Sequence, residues 1–266
     1  PLAESLDHVG PMTRSVIDAA YMFNAMIGHD DNDQTTLNAS PINLSDFEKP
    51  DLEGLKIGYS EDYAQKGVDP VLVAMIRKSL QTLESLGASV VTLEIPDIDD
   101  YLPAWRVLCS SEAYQAHSDF FPDREKDYGD FFADWLSMGS QVTAGEYIAA
   151  NNTRRQCNGI FARVFDDIDA LICPTTTNFP EIINDEINYG PMVQNWPKPG
   201  QAPHQRFTVP FDYNGYPTLS LPCGINEEGM PGSLQIVGKP GKEGLIARIG
   251  NAYEERTSTR DFRPIA

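Results

Sequence analysis

Positive charge is scarce in this sequence. Lysine and arginine together number 20 against 39 aspartates and glutamates, which gives a formal net charge of −19 at pH 7. Such an acidic chain repels nucleic-acid phosphates and anionic lipid headgroups, so we expect neither direct nucleic-acid binding nor membrane binding. Long apolar runs are also missing, since none approaches the roughly 20 residues that a transmembrane helix needs. With 266 residues, 41% of them hydrophobic, the chain can bury a substantial core, and we expect a single globular domain over residues 1–266.

Cysteine is sparse and shows no pairing pattern. The chain has four cysteines, and none of them stands in a CxxC motif. Neither a zinc ribbon nor a disulfide framework is therefore predicted, and a reducing compartment, the cytoplasm, is the expected location. Cys173 and Cys223 each adjoin a proline at the end of a predicted strand. Both are interpreted as buried structural thiols rather than nucleophiles.

The motifs of a self-contained hydrolase are missing as well. The sequence has no GxSxG, no SxxK and no HExxH. Ser110 and Ser111 precede His117 on a predicted helix, but a shared helix face lacks the sharp turn that presents a nucleophile. The acidic cluster of Asp30, Asp31 and Asp33 lacks the central glycine and the terminal glutamate of a calcium-binding loop, and is interpreted as a solvated turn. The residues alone thus predict no catalytic group and no metal site.

A strand, a helix and a second strand follow one another near the start of the chain. Residues 55–60 and 90–95 are short apolar runs bounded by turn residues, which is typical of buried strands. Between them, Asp69 is a suitable N-cap, Pro70 suits the first helical position, and apolar residues recur at helical spacing as far as Leu86. Such a crossover places the two strands parallel and next to each other.

Similar patterns predict the remaining elements. The stretch 96–138 is expected to form helical pieces and loops, and 179–206 a long loop that is functional or mobile. Further helices are predicted from Ser15 to Gly28, from the Thr143–Glu146 capping box to Asp167, and over 242–256. Strands are predicted over 169–173, 217–222 and 233–237. The expected fold class is α/β, with a mixed, largely parallel central sheet covered by helices on both faces.

Four blocks of sequence occur in an order that resembles one known family, the amidase signature family. They are SLDHVGPMTRSVIDAA (5–20), LKIGYS with VTLEIP (55–96), AGEYIAANNTRRQCNGIFARVFDDIDALICPT (144–175), and FTVPFDYNGYPTLSLPCG with GSLQIVG (207–238). The first block looks like the segment directly after that family's glycine- and serine-rich signature. Together the blocks span almost the whole chain.

This resemblance implies an amidase that converts a carboxamide to a carboxylate and ammonia or an amine. The family uses a serine nucleophile, a second serine on a cis peptide and a lysine, and these residues would lie upstream of the first block. The chain would then be a C-terminal portion of an amidase, incomplete at the N-terminus and inactive alone. No cofactor is implied, and the expected partners are a small-molecule amide and either a second copy of the chain or a complementary N-terminal segment.

The resemblance also suggests substrate contacts. Arg154 aligns with a helix arginine that contacts a substrate carboxylate in some relatives, although an arginine in this setting also suits a surface ion pair. Thr175, Thr176 and Thr177 follow a predicted strand end, where open α/β sheets place ligands. Phe207 begins the last block and would line the acyl pocket, yet its ring equally suits the core.

Two other functions remain open at this point. One is the A subunit of the glutamine-dependent aminoacyl-tRNA amidotransferase, which shares the fold and acts with partner subunits. Gln205 stands where an acidic residue is expected in that protein, and PFDYNGYPTLSLP differs from its usual run. The other is a non-catalytic structural fragment retained for interaction with a complementary chain.

Overall fold

The chain forms two compact units in a computed structural model that describes residues 2–36, 40–48, 51–180, 204–257 and 259. The first, here called the helical unit, comprises residues 1–8, 96–161 and 180–214. The second, the sheet unit, comprises residues 9–95, 162–179 and 215–266. Most of the loop predicted over 179–206 falls at residues 181–203, which lie outside the described residues.

The helices and strands are interspersed along the chain. The strands are β1 (Lys56–Tyr59), β2 (Ser89–Thr92), β3 (Ala170–Pro174), β4 (Thr218–Ile225) and β5 (Pro231–Gly238). In the described part of the chain, the α-helices are α1 (Val16–Met26), α2 (Glu61–Gln65), α3 (Pro70–Ser85), α4 (Pro103–Ala116), α5 (Asp130–Ser140), α6 (Ala144–Val164), α7 (Val209–Asn214) and α8 (Glu243–Thr257). None of these helices has the length and apolarity needed to cross a membrane.

The sheet unit is built on one mixed five-stranded sheet with the order β2-β1-β3-β5-β4. Strand β1 runs parallel to β2, with Ile57 opposite Val90, and also parallel to β3. Strand β5 runs antiparallel to both β3 and β4. The predicted neighbouring parallel strands β1 and β2 are confirmed, and so is the α/β fold class.

Local sequence explains the helix that joins β1 to β2. Asp69 caps α3 by accepting a hydrogen bond from the N–H of Val71 at 2.7 Å, and Pro70 occupies the first turn. Leu72, Ile76 and Leu83 are almost fully buried on one face of the helix. That burial removes apolar surface from water, which is the main favourable contribution to folding.

The helical unit contains α4 and α5, which pack closely in the stretch where only helical pieces were predicted. A side chain at Gly139 would overlap the backbone carbonyl oxygen of Ser110, so glycine alone permits this approach of the two helices. The rings of Trp105 and Trp135 lie 5.9 Å apart at the same interface, and Phe131 stacks on Trp135. Glycine and aromatic residues therefore define the contact between α4 and α5.

Two more helices, α6 and α7, contribute residues to this unit. Helix α6 begins with the predicted capping box, in which the N–H of Thr143 donates to Glu146 at 2.8 Å and the N–H of Glu146 donates to the Thr143 hydroxyl at 3.3 Å. Helix α7, at Val209–Asn214, is a short element that the sequence pattern did not predict. It places Asp212 and Tyr213 in the helical unit, where both contact groups described below.

Candidate functional site

Arg154, the predicted carboxylate contact, is held in the helical unit by three hydrogen bonds. Its Nε donates to the carbonyl oxygen of Tyr213 at 2.8 Å, while Nη1 donates to the Ser5 hydroxyl at 2.9 Å and Nη2 to the Ser5 carbonyl at 2.8 Å. The side-chain amide of Asn158 donates to the same Tyr213 carbonyl at 3.1 Å. A guanidinium has five N–H donors, so these bonds fix its orientation while leaving two donors for another acceptor.

Glu112 on α4 lies in the same network and accepts three hydrogen bonds. The Ser5 N–H donates to Oε2 at 2.8 Å, and the Ser5 hydroxyl donates to Oε1 at 2.6 Å. The Tyr147 hydroxyl donates to Oε1 at 2.9 Å. Burial, and then the adjacent Glu112 carboxylate, raise the pKa of Tyr147 above its ordinary value. The carboxylate therefore fastens both the N-terminal segment and α6.

Asp212, on α7, is a carboxyl group whose pKa the fold shifts towards neutral pH. Burial raises the pKa of this carboxyl to about 6, and the charge of Asp7 acts in the same direction. The opposing influences come from His8, Arg154 and the indole N–H of Trp105, which donates to Asp212 Oδ2 at 3.0 Å. A carboxyl with this pKa can hold or release a proton near neutral pH.

The three predicted threonines follow β3 in the sheet unit, where they differ in exposure. Thr175 is partly exposed, and it donates its N–H to the Ser233 carbonyl at 3.2 Å and its hydroxyl to Ser220 Oγ at 3.3 Å. Thr176 is exposed and its hydroxyl donates to the Asn178 carbonyl at 2.6 Å. Thr177 is fully buried, and its carbonyl accepts from the backbone N–H at position 69 at 2.9 Å. Thr175 and Thr176 thus present the accessible hydroxyls at the carboxyl end of β3.

Phe207, the predicted pocket residue, is fully buried in the helical unit. It ends a short 3₁₀ turn, His204–Phe207, which also contains Gln205 and Arg206. Arg206 is 2% exposed and pairs with Asp97 and Asp99 at 3.6 Å each. The turn is therefore anchored by a buried arginine, and its neighbour Phe207 forms part of the packed interior.

The serines and cysteines weighed from the sequence have structural contacts. Ser110 and Ser111 both donate to the carbonyl oxygen of Val107 on their own helix. His117 Nδ1 lies 3.1 Å from the Tyr128 hydroxyl. Cys173 is buried as predicted, whereas Cys223 is only partly buried. Burial raises the pKa of both thiols to about 12, which opposes formation of a nucleophilic thiolate. Among the residues that the structure describes, no group of three or more His, Cys, Asp or Glu side chains is arranged to hold a metal ion.

Comparison with known proteins assigns the family. The model of one family, described as Amidase, matches residues 1–246. The chain belongs to the Amidase family. The match runs through both the helical unit and the sheet unit, and includes all four sequence blocks in which the resemblance was seen. The predicted membership of the amidase signature family is thereby confirmed.

Curated relatives add detail on length. Across 98% of the chain, this amidase-family member is 32% identical to the A subunit of the glutamyl-tRNA(Gln) amidotransferase of Desulforamulus reducens and 31% identical to that of Thermosynechococcus vestitus. The matched region covers 57% and 58% of those two proteins. The chain therefore spans little more than half the length of these relatives.

Solved structures show the same fold. One, described as a vestigial protein complex that reveals the evolutionary origins of an s-triazine catabolic enzyme, has a TM-score of 0.79 at 27% identity, covering 96% of this chain and 55% of that one. A bacterial aryl acylamidase of the amidase signature family has a TM-score of 0.77 at 22% identity, covering 96% and 55%. The A subunit of the glutamyl-tRNA(Gln) amidotransferase from Thermotoga maritima has a TM-score of 0.73 at 24% identity, covering 96% and 54%.

The family resemblance predicted a substrate contact at Arg154, which stays a prediction, and sequence reasoning missed the groups that hold this side chain. Ser5 and Asp212 lie inside two of the recognised blocks, yet nothing in local spacing connects them with Arg154. Glu112 lies on α4, in the stretch where only helical pieces were predicted. The contacts of Ser5 with Glu112 and Arg154 join residues more than 100 positions apart, so they can be recognised only once the helices are packed together.

Proposed function

We propose that the complete protein hydrolyses a carboxamide to a carboxylate and ammonia or an amine, with the catalytic serine, second serine and lysine upstream of this chain. The family match over residues 1–246 is the observation that carries this proposal. In such a reaction the serine oxygen attacks the amide carbonyl, the leaving nitrogen takes up a proton, and water then cleaves the acyl ester. Backbone N–H groups stabilise the oxyanion in each step.

This chain supplies substrate contacts in the proposal. The guanidinium of Arg154 is oriented by Tyr213 and Ser5 and retains two N–H donors suited to a substrate carboxylate. The hydroxyls of Thr175 and Thr176 are accessible at the carboxyl end of β3. Participation of the buried Thr177 and Phe207 in binding stays a prediction.

A second candidate is the A subunit of a glutamine-dependent amidotransferase. The curated relatives that are 31–32% identical carry this name, which favours it. Gln205 and the run PFDYNGYPTLSLP depart from the pattern expected of that protein, which favours an independent amidase instead. A purely structural role for the chain, as a fragment bound to a complementary one, is the third candidate.

The first experiment separates these functions with the complete protein. Release of ammonia or amine is measured over a panel of aliphatic and aromatic amides and over glutamine, with the 266-residue chain assayed in parallel. We expect turnover of simple amides by the complete protein and none by the chain alone. Turnover of glutamine only in the presence of further subunits would favour the amidotransferase, and no turnover under any condition would favour the structural role.

The second experiment tests Arg154 as a carboxylate contact. Arg154→Ala is compared with Arg155→Ala. In the unsubstituted chain, Arg155 is exposed and its guanidinium donates to Asn152 on the same helix. We expect Arg154→Ala to raise KM for an amide that carries a carboxylate and to leave KM for a matched neutral amide nearly unchanged. An equal rise in KM for both substrates would assign Arg154 to structure alone.

A further inference from the structure

Ser5 is bonded through each of its polar groups. Its N–H and its hydroxyl hydrogen are donated to Glu112, at 2.8 and 2.6 Å. Its hydroxyl oxygen and its carbonyl oxygen accept from Arg154, at 2.9 and 2.8 Å. The two partners are 107 and 149 residues away in sequence. A surface serine with four such bonds, all of them to charged groups, has little freedom to move.

The residues around Ser5 form a closed turn. The N–H groups of Leu6 and Asp7 both donate to the carbonyl of Ala3, at 2.9 and 2.8 Å. The N–H of Leu2 donates to the Asp7 carboxylate at 2.6 Å. Ala3 and Leu6 are buried, with 0% and 4% of their surface exposed. Residues 2–8 are therefore held by two apolar anchors and by the clamp that Ser5, Glu112 and Arg154 form between them.

We infer that this Ser5 clamp positions the 2–8 turn, and with it the chain that leads in from the upstream catalytic region, for amide hydrolysis. Ser5 and Glu112 are then positioning residues of the reaction, an assignment that rests on the proposed function. Small displacements of a catalytic group are costly, because a shift of about 1 Å can lower the rate roughly a hundredfold. The four hydrogen bonds of Ser5 oppose a displacement of the 2–8 turn and of the chain that precedes it.

The test uses Ser5→Ala and Glu112→Ala in the complete protein. Ser5→Ala removes both hydroxyl bonds, and Glu112→Ala removes the acceptor of the Ser5 N–H and of the Ser5 hydroxyl. Ser140→Ala is the matched control, because it removes the hydroxyl of an exposed serine in the helical unit whose bond, to the Ser137 carbonyl, lies within α5. Melting temperature, hydrogen exchange over residues 2–8, and kcat and KM for one amide substrate are measured for each protein.

We expect Ser5→Ala and Glu112→Ala to speed exchange over residues 2–8 and to lower kcat roughly tenfold to a hundredfold with little change in KM. Ser140→Ala should match the unsubstituted protein in both readouts. Unchanged exchange, or faster exchange with an unchanged kcat, overturns the inference.

If the unsubstituted protein turns over no amide, the proposed function is wrong, and kcat cannot be measured. The rate at which a fluorophosphonate labels the upstream serine is then measured instead of kcat. Equal labelling rates in all variants would overturn the inference that the Ser5 clamp positions the catalytic region.

Discussion

The sheet unit and the helical unit are each stabilised internally by a different kind of contact. The sheet unit relies on apolar burial, as in β3, where every residue is buried between its neighbours. The helical unit combines aromatic packing with hydrogen bonds to charged groups, such as those of Arg154, Glu112 and Asp212. Apolar cores lose stability through cavities, whereas polar networks lose it through unpaired groups and are sensitive to pH. Substitutions should therefore produce different signatures in the two units.

The largest effect is expected at the centre of the sheet. Ile236 in β5 is fully buried and lies opposite both Ile172 and Leu219. Ile236→Ala should lower the free energy of unfolding by about 2–5 kcal/mol, and Ile236→Val by about 0.5–1.5 kcal/mol. Urea denaturation of the three proteins measures both losses. Equal losses for the two variants would show that β5 does not depend on packing at this position.

The next largest effect concerns the approach of α4 and α5 in the helical unit. Gly139→Ala places a methyl group against the Ser110 backbone and should destabilise the protein by about 1–3 kcal/mol. Gly159 on α6 faces open space, so Gly159→Ala should instead stabilise by up to about 1 kcal/mol through helix propensity. Opposite signs for these two glycine substitutions in thermal denaturation would confirm the close helix contact. Stabilisation by both would contradict it.

The third prediction concerns the pH dependence of stability, which should be marked in the helical unit because Asp212 lies there. The pKa of Asp212 is raised to about 6, so the folded protein binds its proton more tightly than the unfolded chain does. This contribution to stability is present below about pH 4 and is lost as pH rises through about 6. A difference of about two pKa units corresponds to roughly 3 kcal/mol, and partial exposure reduces the expected loss to about 1–2 kcal/mol.

The matching variant is Asp212→Asn, which keeps an oxygen to accept from Trp105 but does not titrate in this range. Urea denaturation at pH 4 and pH 7 should show a smaller loss of stability with rising pH for Asp212→Asn than for the unsubstituted chain. The exposed Asp119→Asn serves as control and should leave the pH dependence as it is. An unchanged pH dependence in Asp212→Asn would remove Asp212 from this role.

The smallest effects should be alike in the two units, because helix caps act locally. Asp69 caps α3 in the sheet unit and Thr143 caps α6 in the helical unit. Asp69→Ala and Thr143→Ala should each cost about 1 kcal/mol, whereas Asp69→Asn and Thr143→Ser keep a capping oxygen and should cost much less. Denaturation midpoints of the four variants test this. A cost of several kcal/mol at either cap would mean that it also supports tertiary contacts.

Local signals account for the success of prediction in the sheet unit. The sequence predicted strands at 55–60 and 169–173, and the structure places them at Lys56–Tyr59 and Ala170–Pro174. The cap at Asp69 and the glycine at 87 bounded α3 to within about one residue of its observed ends. Alternation, caps and breakers all act over a few residues, so they can be read along the chain.

The helical unit resisted prediction because its contacts are distant in sequence. Helix α7 is six residues long, too short for apolar periodicity to show. The partners of Ser5 are more than 100 residues away, and Trp105 meets Asp212 across 107 residues. Family resemblance indicated Arg154 as a site residue, but only the packed helices connect it with Ser5 and Tyr213.

Strand β4, one of the two edge strands of the sheet that the described residues form, has a consequence for association between molecules. It ends the strand order of the sheet, and its register breaks between Pro222 and Gly224. Proline cannot donate a hydrogen bond to a neighbouring strand, and an irregularity of this kind twists a strand away from a straight ladder. Any chain aligning beside β4 therefore meets an uninterrupted template over residues 218–221 at most. So short a template disfavours the edge-to-edge pairing that begins cross-β aggregation.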